Sequence, residues 1–310
     1  MPDSSPTGLS VYTLDLNFRG VPGTIAVYLI THANGALLVE CGPGSSIPDL
    51  LSAIAALGLQ PSQITDVLLT HIHLDHGGSA GWWARQGARI HVHPVGAPHL
   101  INPEKLLASA GRIYGAAMQT LWGDFLPVPE HKMVIHQDNE VFDVAGLHFR
   151  AIDVPGHAYH HFAYLCQDMC FTGDIGGIRL GGTRHIRLPM PPPELNLALW
   201  QQSARRLQEE QQKGSFSRIA PTHFGIFDDP AWHLQTLRQL LDELEAWMDQ
   251  VMPSNPSVEQ LNRQFLDWTG MQSQASGLVP TTLQQFETAN PSWMSSQGIY
   301  RYWHKVLHPD

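Results

Sequence analysis

The densest chemistry in this chain lies in one run, Thr70-His71-Ile72-His73-Leu74-Asp75-His76-Gly77-Gly78. Imidazole and carboxylate are the ligand types that suit zinc, iron or manganese. The run follows an apolar segment, Asp66–Thr70, that reads as a strand. Alternate residues of a strand share a face, so His71 and His73 aim at one point. The turn that must follow lets Asp75 and His76 face a second point nearby. Such a run cannot complete two coordination spheres, but three more donors stand at strand ends. These are His157 in Val154-Pro155-Gly156-His157, Asp174 in Phe171-Thr172-Gly173-Asp174, and His223 in Pro221-Thr222-His223. The carboxyl edge of an α/β sheet is where sites are usually built. Two cations about 3.5–4 Å apart can share one hydroxide and clamp a substrate oxygen, which is hydrolytic chemistry. Asp75 is placed to take the nucleophile's proton and pass it to the leaving group.

The elements that must position these groups can be read from pattern. Val11–Phe18 reads as a strand, and Thr24–Ile30 with Ala36–Glu40 as a hairpin across Asn34-Gly35. A helix is expected from Pro48 to Leu57, a short one carrying Trp82 and Trp83, and a strand over Arg89–His93. Pro103–Trp122 reads as one helix. Glu140–Val144, Leu147–Val154, Phe162–Cys166 and Met169–Thr172 read as strands. Gly176–Pro193 reads as a long loop, Glu194–Gln211 as a helix, and Ile219-Ala220 as the core of a last strand. From Asp229 onward the chain reads as helices divided by Pro253, Pro256, Pro280 and Pro291.

Bulk properties narrow the function classes. The net charge of −10 disfavours a nucleic-acid partner, since such binding needs Lys and Arg to displace counterions. No stretch is apolar for long enough to span a bilayer, so no membrane role is expected. No signal peptide is evident at Met1–Ser10, and the expected location is cytoplasmic. Cys41, Cys166 and Cys170 are read as buried free thiols, with a Cys166–Cys170 pair left open. A homodimer is compatible with the sequence.

The H-x-H-x-D-H string, then P-G-H, then T-G-D, then Thr-His after a strand, resembles the metallo-β-lactamase superfamily over roughly the first three quarters of the chain. The resemblance implies an α/β fold, the αβ/βα metallo-β-lactamase sandwich, with the site at one edge. It implies that His71, His73 and His157 hold one metal, that Asp75, His76 and His223 hold a second, and that Asp174 bridges them. The expected cofactors are two divalent ions, zinc first, with iron or manganese as alternatives. Residues 1–228 are expected to form the catalytic domain, with 229–310 a helical C-terminal cap packed on it. Relatives carry Asp where this chain has Glu40. Glu40 is expected to orient a ligating His from behind, and His161 to support the site in the same way. His160 stands where relatives carry a small residue, and its role is left open.

Departures from the pattern exclude some reactions. True class B β-lactamases usually carry Cys where Asp174 stands, which argues against β-lactam hydrolysis. Lactonases of the family carry Tyr shortly after the bridging Asp, and here Ile175, Gly176 and Gly177 follow. Thioesterases of the glyoxalase II type share all seven ligand positions. The leading expectation is a bridging hydroxide acting on an ester, thioester or lactone. Phosphodiester or phosphotriester hydrolysis is the next option, an iron-dependent redox enzyme on the same fold the third, and a binding protein with a vestigial site the last. The aromatic residues of the tail, with Trp82, Trp83, Tyr114, Trp122 and Phe125, suit ordinary packing one by one. As a group over a metal site they suit an apolar or amphipathic small-molecule substrate.

Overall fold

The computed structural model describes residues 3, 4 and 10–308. Strands β1 (Asp3–Ser4), β2 (Ser10–Asp15), β3 (Ala26–His32), β4 (Gly35–Val39), β5 (Ile64–Leu68), β6 (Arg89–Val92) and β7 (Met133–Ile135) form one sheet in sequence order. β2 to β4 pair antiparallel and β4 to β7 parallel. The second sheet has the order β12-β11-β10-β9-β8, from β8 (Val141–Val144), β9 (Leu147–Asp153), β10 (Phe162–Cys166), β11 (Met169–Phe171) and β12 (Arg218–Ala220).

Strand alternation explains how the sheets stack. On β3, Ala26, Tyr28 and Ile30 join Leu37, Val39 and Leu68 in a core shared with Phe149, Ala151, Phe162, Tyr164 and Phe171 of the second sheet. The intervening Val27 and Leu29 face outward onto α1 (Ile47–Ala56) and α3 (Ala80–Gln86), beside Leu50, Ile54 and Trp83. Period-two alternation on both strands is what two buried faces require. On the far side, Ala163 and Leu165 of β10 face α7 (Leu197–Gln212) through Trp200, Ala204 and Leu207. The result is the αβ/βα sandwich.

Short helices α2 (Leu74–Gly77) and α4 (Ala97–Ile101) follow β5 and β6. The expected single helix over 103–122 is broken into α5 (Glu104–Tyr114) and α6 (Met118–Trp122), because Gly115 turns to φ +52° between them. The strand expected to reach Phe18 stops at Asp15, and a tight turn at Phe18–Gly20 follows. β7 carries no strong alternation and was not anticipated. The three cysteines are buried free thiols.

The tail forms α8 (Pro230–Val251), α9 (Val258–Ala275), α10 (Pro280–Ala289) and α11 (Ser292–Tyr302). Leu234, Leu237, Leu241, Leu261, Phe265 and Ile299 share one cluster with Trp200 and Ile219, so α8, α9 and α11 thicken the layer that α7 begins, while Phe286 of α10 packs on Ile178 and Leu180. Among the described residues no helix is long and apolar enough to cross a membrane.

Candidate metal centre

Every expected ligand sits just past a strand or in the turn after it. β5 ends at Leu68, Thr70 is buried, and the chain turns through His71, His73, Asp75 and His76 into α2. Gly156 and Gly173 immediately precede His157 and Asp174. Gly156 has φ +145° and lies against the Trp200 backbone, while Gly173 has φ +52° and lies against Thr70 and His161. Any side chain at either position would overlap those atoms, so glycine lets the two ligand loops press onto the sheet.

The structure brings all seven side chains together. One ligand atom each from His71, His73 and His157 lies within 4.8 Å of the others, and the same holds for Asp75, His76 and His223. Asp174 stands between the two groups. Its Oδ2 is 3.4 Å from His157 Nε2, and its Oδ1 is 3.3 Å from His76 Nε2 and 3.5 Å from His223 Nε2. Asp75 Oδ2 lies 3.5 Å from His223 Nε2 and 3.6 Å from His76 Nε2.

Hydrogen bonds behind the rings decide which nitrogen faces the centre. His157 Nδ1–H donates to the Pro189 carbonyl at 2.8 Å, and His223 Nδ1–H to the Thr24 carbonyl at 2.5 Å. His76 Nδ1–H donates to Glu40 Oε1 at 3.1 Å. The Thr70 hydroxyl donates to Glu40, which leaves its oxygen to accept from His71 Nδ1 at 3.1 Å. Each of these four rings therefore points a bare Nε2 inward.

That arrangement fits metal ions on its own terms. His71 Nε2 and His157 Nε2 lie 3.0 and 2.9 Å from His73 Nδ1, so lone pairs converge with few protons to share. Burial, and then the neighbouring imidazoles, hold His71 and His73 well below the usual histidine range, keeping them neutral. His76 Nε2 and Asp174 Oδ1 are buried and have no hydrogen-bond partner. Buried polar atoms are normally satisfied. A cation in each cluster would satisfy them. Burial works against charge on His76, but Asp174, Asp75 and Glu40 outweigh it and raise His76 well above the usual range. Two cations would supply the positive charge those carboxylates attract.

Glu40 is the hub behind the centre. It is fully buried, with φ +66°, and also accepts from the Thr70 backbone N–H at 3.3 Å and the Thr222 hydroxyl at 3.1 Å. It thereby ties the His71 loop, His76 and the His223 loop together. His161 stacks on His71 with centroids 4.6 Å apart, and its Nε2 accepts from Ile175 N–H at 3.3 Å. It supports His71 and the Asp174 turn from behind. His160, left open by the sequence, is buried and lines the site. Its Nδ1 accepts from Ile72 N–H at 3.4 Å, and Nε2 lies 3.4 Å from Glu194. The sequence marks it only as standing where relatives carry a small residue, which does not tell whether the ring faces the site.

A cavity of about 400 Å³ opens over the centre. His73, Asp75, His157 and Asp174 lie at its base, and Leu106, Ile113, Leu121, Trp122, Trp293 and Met294 in its walls. Tyr114 of α5 reaches across to the tail, with its hydroxyl 3.5 Å from Met294 Sδ.

A family model described as the metallo-β-lactamase superfamily matches residues 20–213. A metallo-β-lactamase fold-containing protein of Sulfurisphaera tokodaii is 26% identical over 228 residues, covering 72% of this chain and 81% of that protein. The atrochrysone carboxyl ACP thioesterase of Aspergillus fumigatus is 26% identical over 250 residues, 80% of this chain and 65% of its own length. A hydroxyacylglutathione hydrolase of Aeromonas hydrophila is 32% identical over 148 residues, 48% of this chain and 45% of its own length. The chain thus spans less than two thirds of the latter two relatives. A metallo-β-lactamase family protein of Thermus thermophilus shares the fold at a TM-score of 0.63 and 21% identity, over 94% of this chain and 92% of that one. From the family match and the shared fold together, this chain belongs to the metallo-β-lactamase superfamily and is one of its hydrolases.

Proposed function

We propose that this protein is a dinuclear metal hydrolase that cleaves an ester, thioester or lactone. The observation that carries this reading is the convergence of seven side chains on two adjoining clusters beneath an apolar cavity. His71, His73 and His157 would hold one ion, Asp75, His76 and His223 the other, with Asp174 shared. Nitrogen and oxygen donors in these numbers suit zinc first, then iron or manganese. Ions bound there supply an acidified water and a Lewis acid for the substrate carbonyl.

The chain's own groups do the rest. Asp75 is 19% exposed, at the cavity base, and its carboxylate is positioned to receive a proton from the attacking water and return it to the leaving group. The Tyr114 hydroxyl has only a thioether as partner, a weak acceptor, and is available to donate to a developing oxyanion. The apolar walls lower the polarity around both groups, which strengthens both interactions. The relatives named a thioesterase and a hydroxyacylglutathione hydrolase support acyl transfer to water as the reaction class.

The test is a panel of chromogenic esters, thioesters, lactones and phosphoesters, assayed after metal removal and after reconstitution with zinc, iron or manganese. Metal-dependent turnover of an acyl substrate supports the reading. Activity confined to phosphoesters, or undiminished by chelation, overturns it.

A further inference from the structure

The charges in the cavity wall are not evenly distributed. Apart from Asp75 and Asp174 at its base, the charged side chains lining it are Arg19, Lys105 and Glu194. Glu194 is engaged, by His160 at 3.4 Å and by Tyr159 N–H at 3.1 Å. Arg19 and Lys105 are exposed and make no hydrogen bond or ion pair among the described residues. They come from separate elements, the tight turn after β2 and the first turn of α5. Arg19 has φ +57°, in the left-handed region that non-glycine residues seldom occupy. In a chain of net charge −10, Arg19 and Lys105 are the lysine and arginine of this cavity, and no carboxylate among the described residues engages either.

Apolar side chains form much of the wall. Phe18, Ile113, Trp122 and Trp293 offer no strong acceptor or charge for a polar substrate body. A cavity of about 400 Å³ accommodates an acyl chain or an aromatic acid. His99, Ser109, Thr288 and Asn290 add polar groups to the lining, and the exposed Arg19 and Lys105 are its lysine and arginine.

We infer that the substrate is an anionic amphiphile, a thioester or ester of an apolar acid whose leaving group carries phosphate or carboxylate held by Arg19 and Lys105. This inference rests on the acyl-hydrolase reading above and adds the charge and polarity of what that site takes. In the thioester case water adds its oxygen to the carbonyl carbon, the carbon–sulfur bond breaks, and the sulfur leaves with a proton as the free thiol. The products are an apolar carboxylic acid and an anionic thiol. Arg19 and Lys105 act at a distance from the reacting carbon, through binding and electrostatic capture, so their contribution weakens as salt screens it.

The experiment compares two thioesters of the same acid, phenylacetyl-coenzyme A, which carries phosphates, and the neutral phenylacetyl-N-acetylcysteamine. Both are assayed on the metal-reconstituted full chain and on the double variant Arg19→Glu, Lys105→Glu. The expected result is a wild-type kcat/KM at least about tenfold higher for the coenzyme A thioester, falling with ionic strength. In the double variant the ratio of the two values drops about tenfold or more, mainly through KM. Metal content and circular dichroism identify a variant that fails to fold, in which case Arg19→Gln, Lys105→Gln replaces it. Equal wild-type values for the two thioesters, or an unchanged ratio in the folded variant, overturn the inference while leaving acyl hydrolysis standing. Hydrolysis of neither thioester, nor of any ester or lactone, overturns both.

Discussion

Glu40 accepts the Nδ1–H of His76 at 3.1 Å, so a fully buried carboxylate backs this ring on the side opposite its Nε2. The same carboxylate receives the hydroxyls of Thr70 and Thr222. Groups in this position fix tautomer and ring angle, and their loss typically weakens metal binding about 10–100-fold. Glu40→Gln should therefore raise the zinc dissociation constant by that order, read by competition with a chromophoric chelator. A dissociation constant equal to wild type would contradict the role assigned to Glu40.

Asp174 contacts both clusters, whereas His161 contacts neither as a ligand. Asp174→Ala should lose most bound metal and about three orders of magnitude or more in kcat/KM, as expected when a shared charged ligand is removed. His161→Ala should keep both ions and lose much less activity. Metal content by mass spectrometry separates these outcomes. Equal stoichiometry in Asp174→Ala and wild type would remove the shared-ligand assignment.

Tyr114 is predicted to act on the transition state. Its hydroxyl has no strong acceptor, and burial, reinforced by the negative Asp75, pushes its pKa up, so it remains a donor across the working pH range. Tyr114→Phe should lower kcat about 10–100-fold with little change in KM, the pattern of an interaction made mainly in the transition state. A change in KM alone would make Tyr114 a packing residue.

Acid stability should depend on a group far from the centre. Asp66 is buried on β5, where burial alone would raise its pKa. Hydrogen bonds from His91 Nε2 and Arg89 Nε, both at 2.8 Å, outweigh burial and help to hold the pKa at about 2. A depressed carboxylate stabilises the fold above its unfolded value of 3.8, and that stability is lost as pH falls through about 2. The contribution at neutral pH is about 2 kcal/mol. Asp66→Asn should lower stability at pH 7 by that order and flatten the decline between pH 4 and pH 2. Urea unfolding at several pH values checks this, and parallel wild-type and variant curves would refute it.

Much of the fold was legible because β3, β4 and β10 are short apolar runs bounded by turn residues such as Asn34-Gly35, while β9 alternates from Leu147 to Ala151. β7 was not, since Met133–Ile135 is short and half-buried, with no periodic signal. The break at Gly115 was missed because a single glycine inside an apolar period reads as a tolerated helix residue. The convergence of the seven candidate ligands was legible from their clustering and their place at strand ends. What could not be read was His160, one histidine among 18 in the sequence. The uncommitted state of Arg19 and Lys105 was equally hidden, because the absence of a partner is a property of three-dimensional packing.

Two cations are expected side by side on the seven named side chains. Crystals of zinc-reconstituted protein, measured at the zinc, iron and manganese absorption edges, test it most directly. Two anomalous peaks should appear about 3.5–4 Å apart, one among His71, His73 and His157, the other among Asp75, His76 and His223, with Asp174 between them. A fully active crystal form with no peak, or with peaks elsewhere, would contradict it.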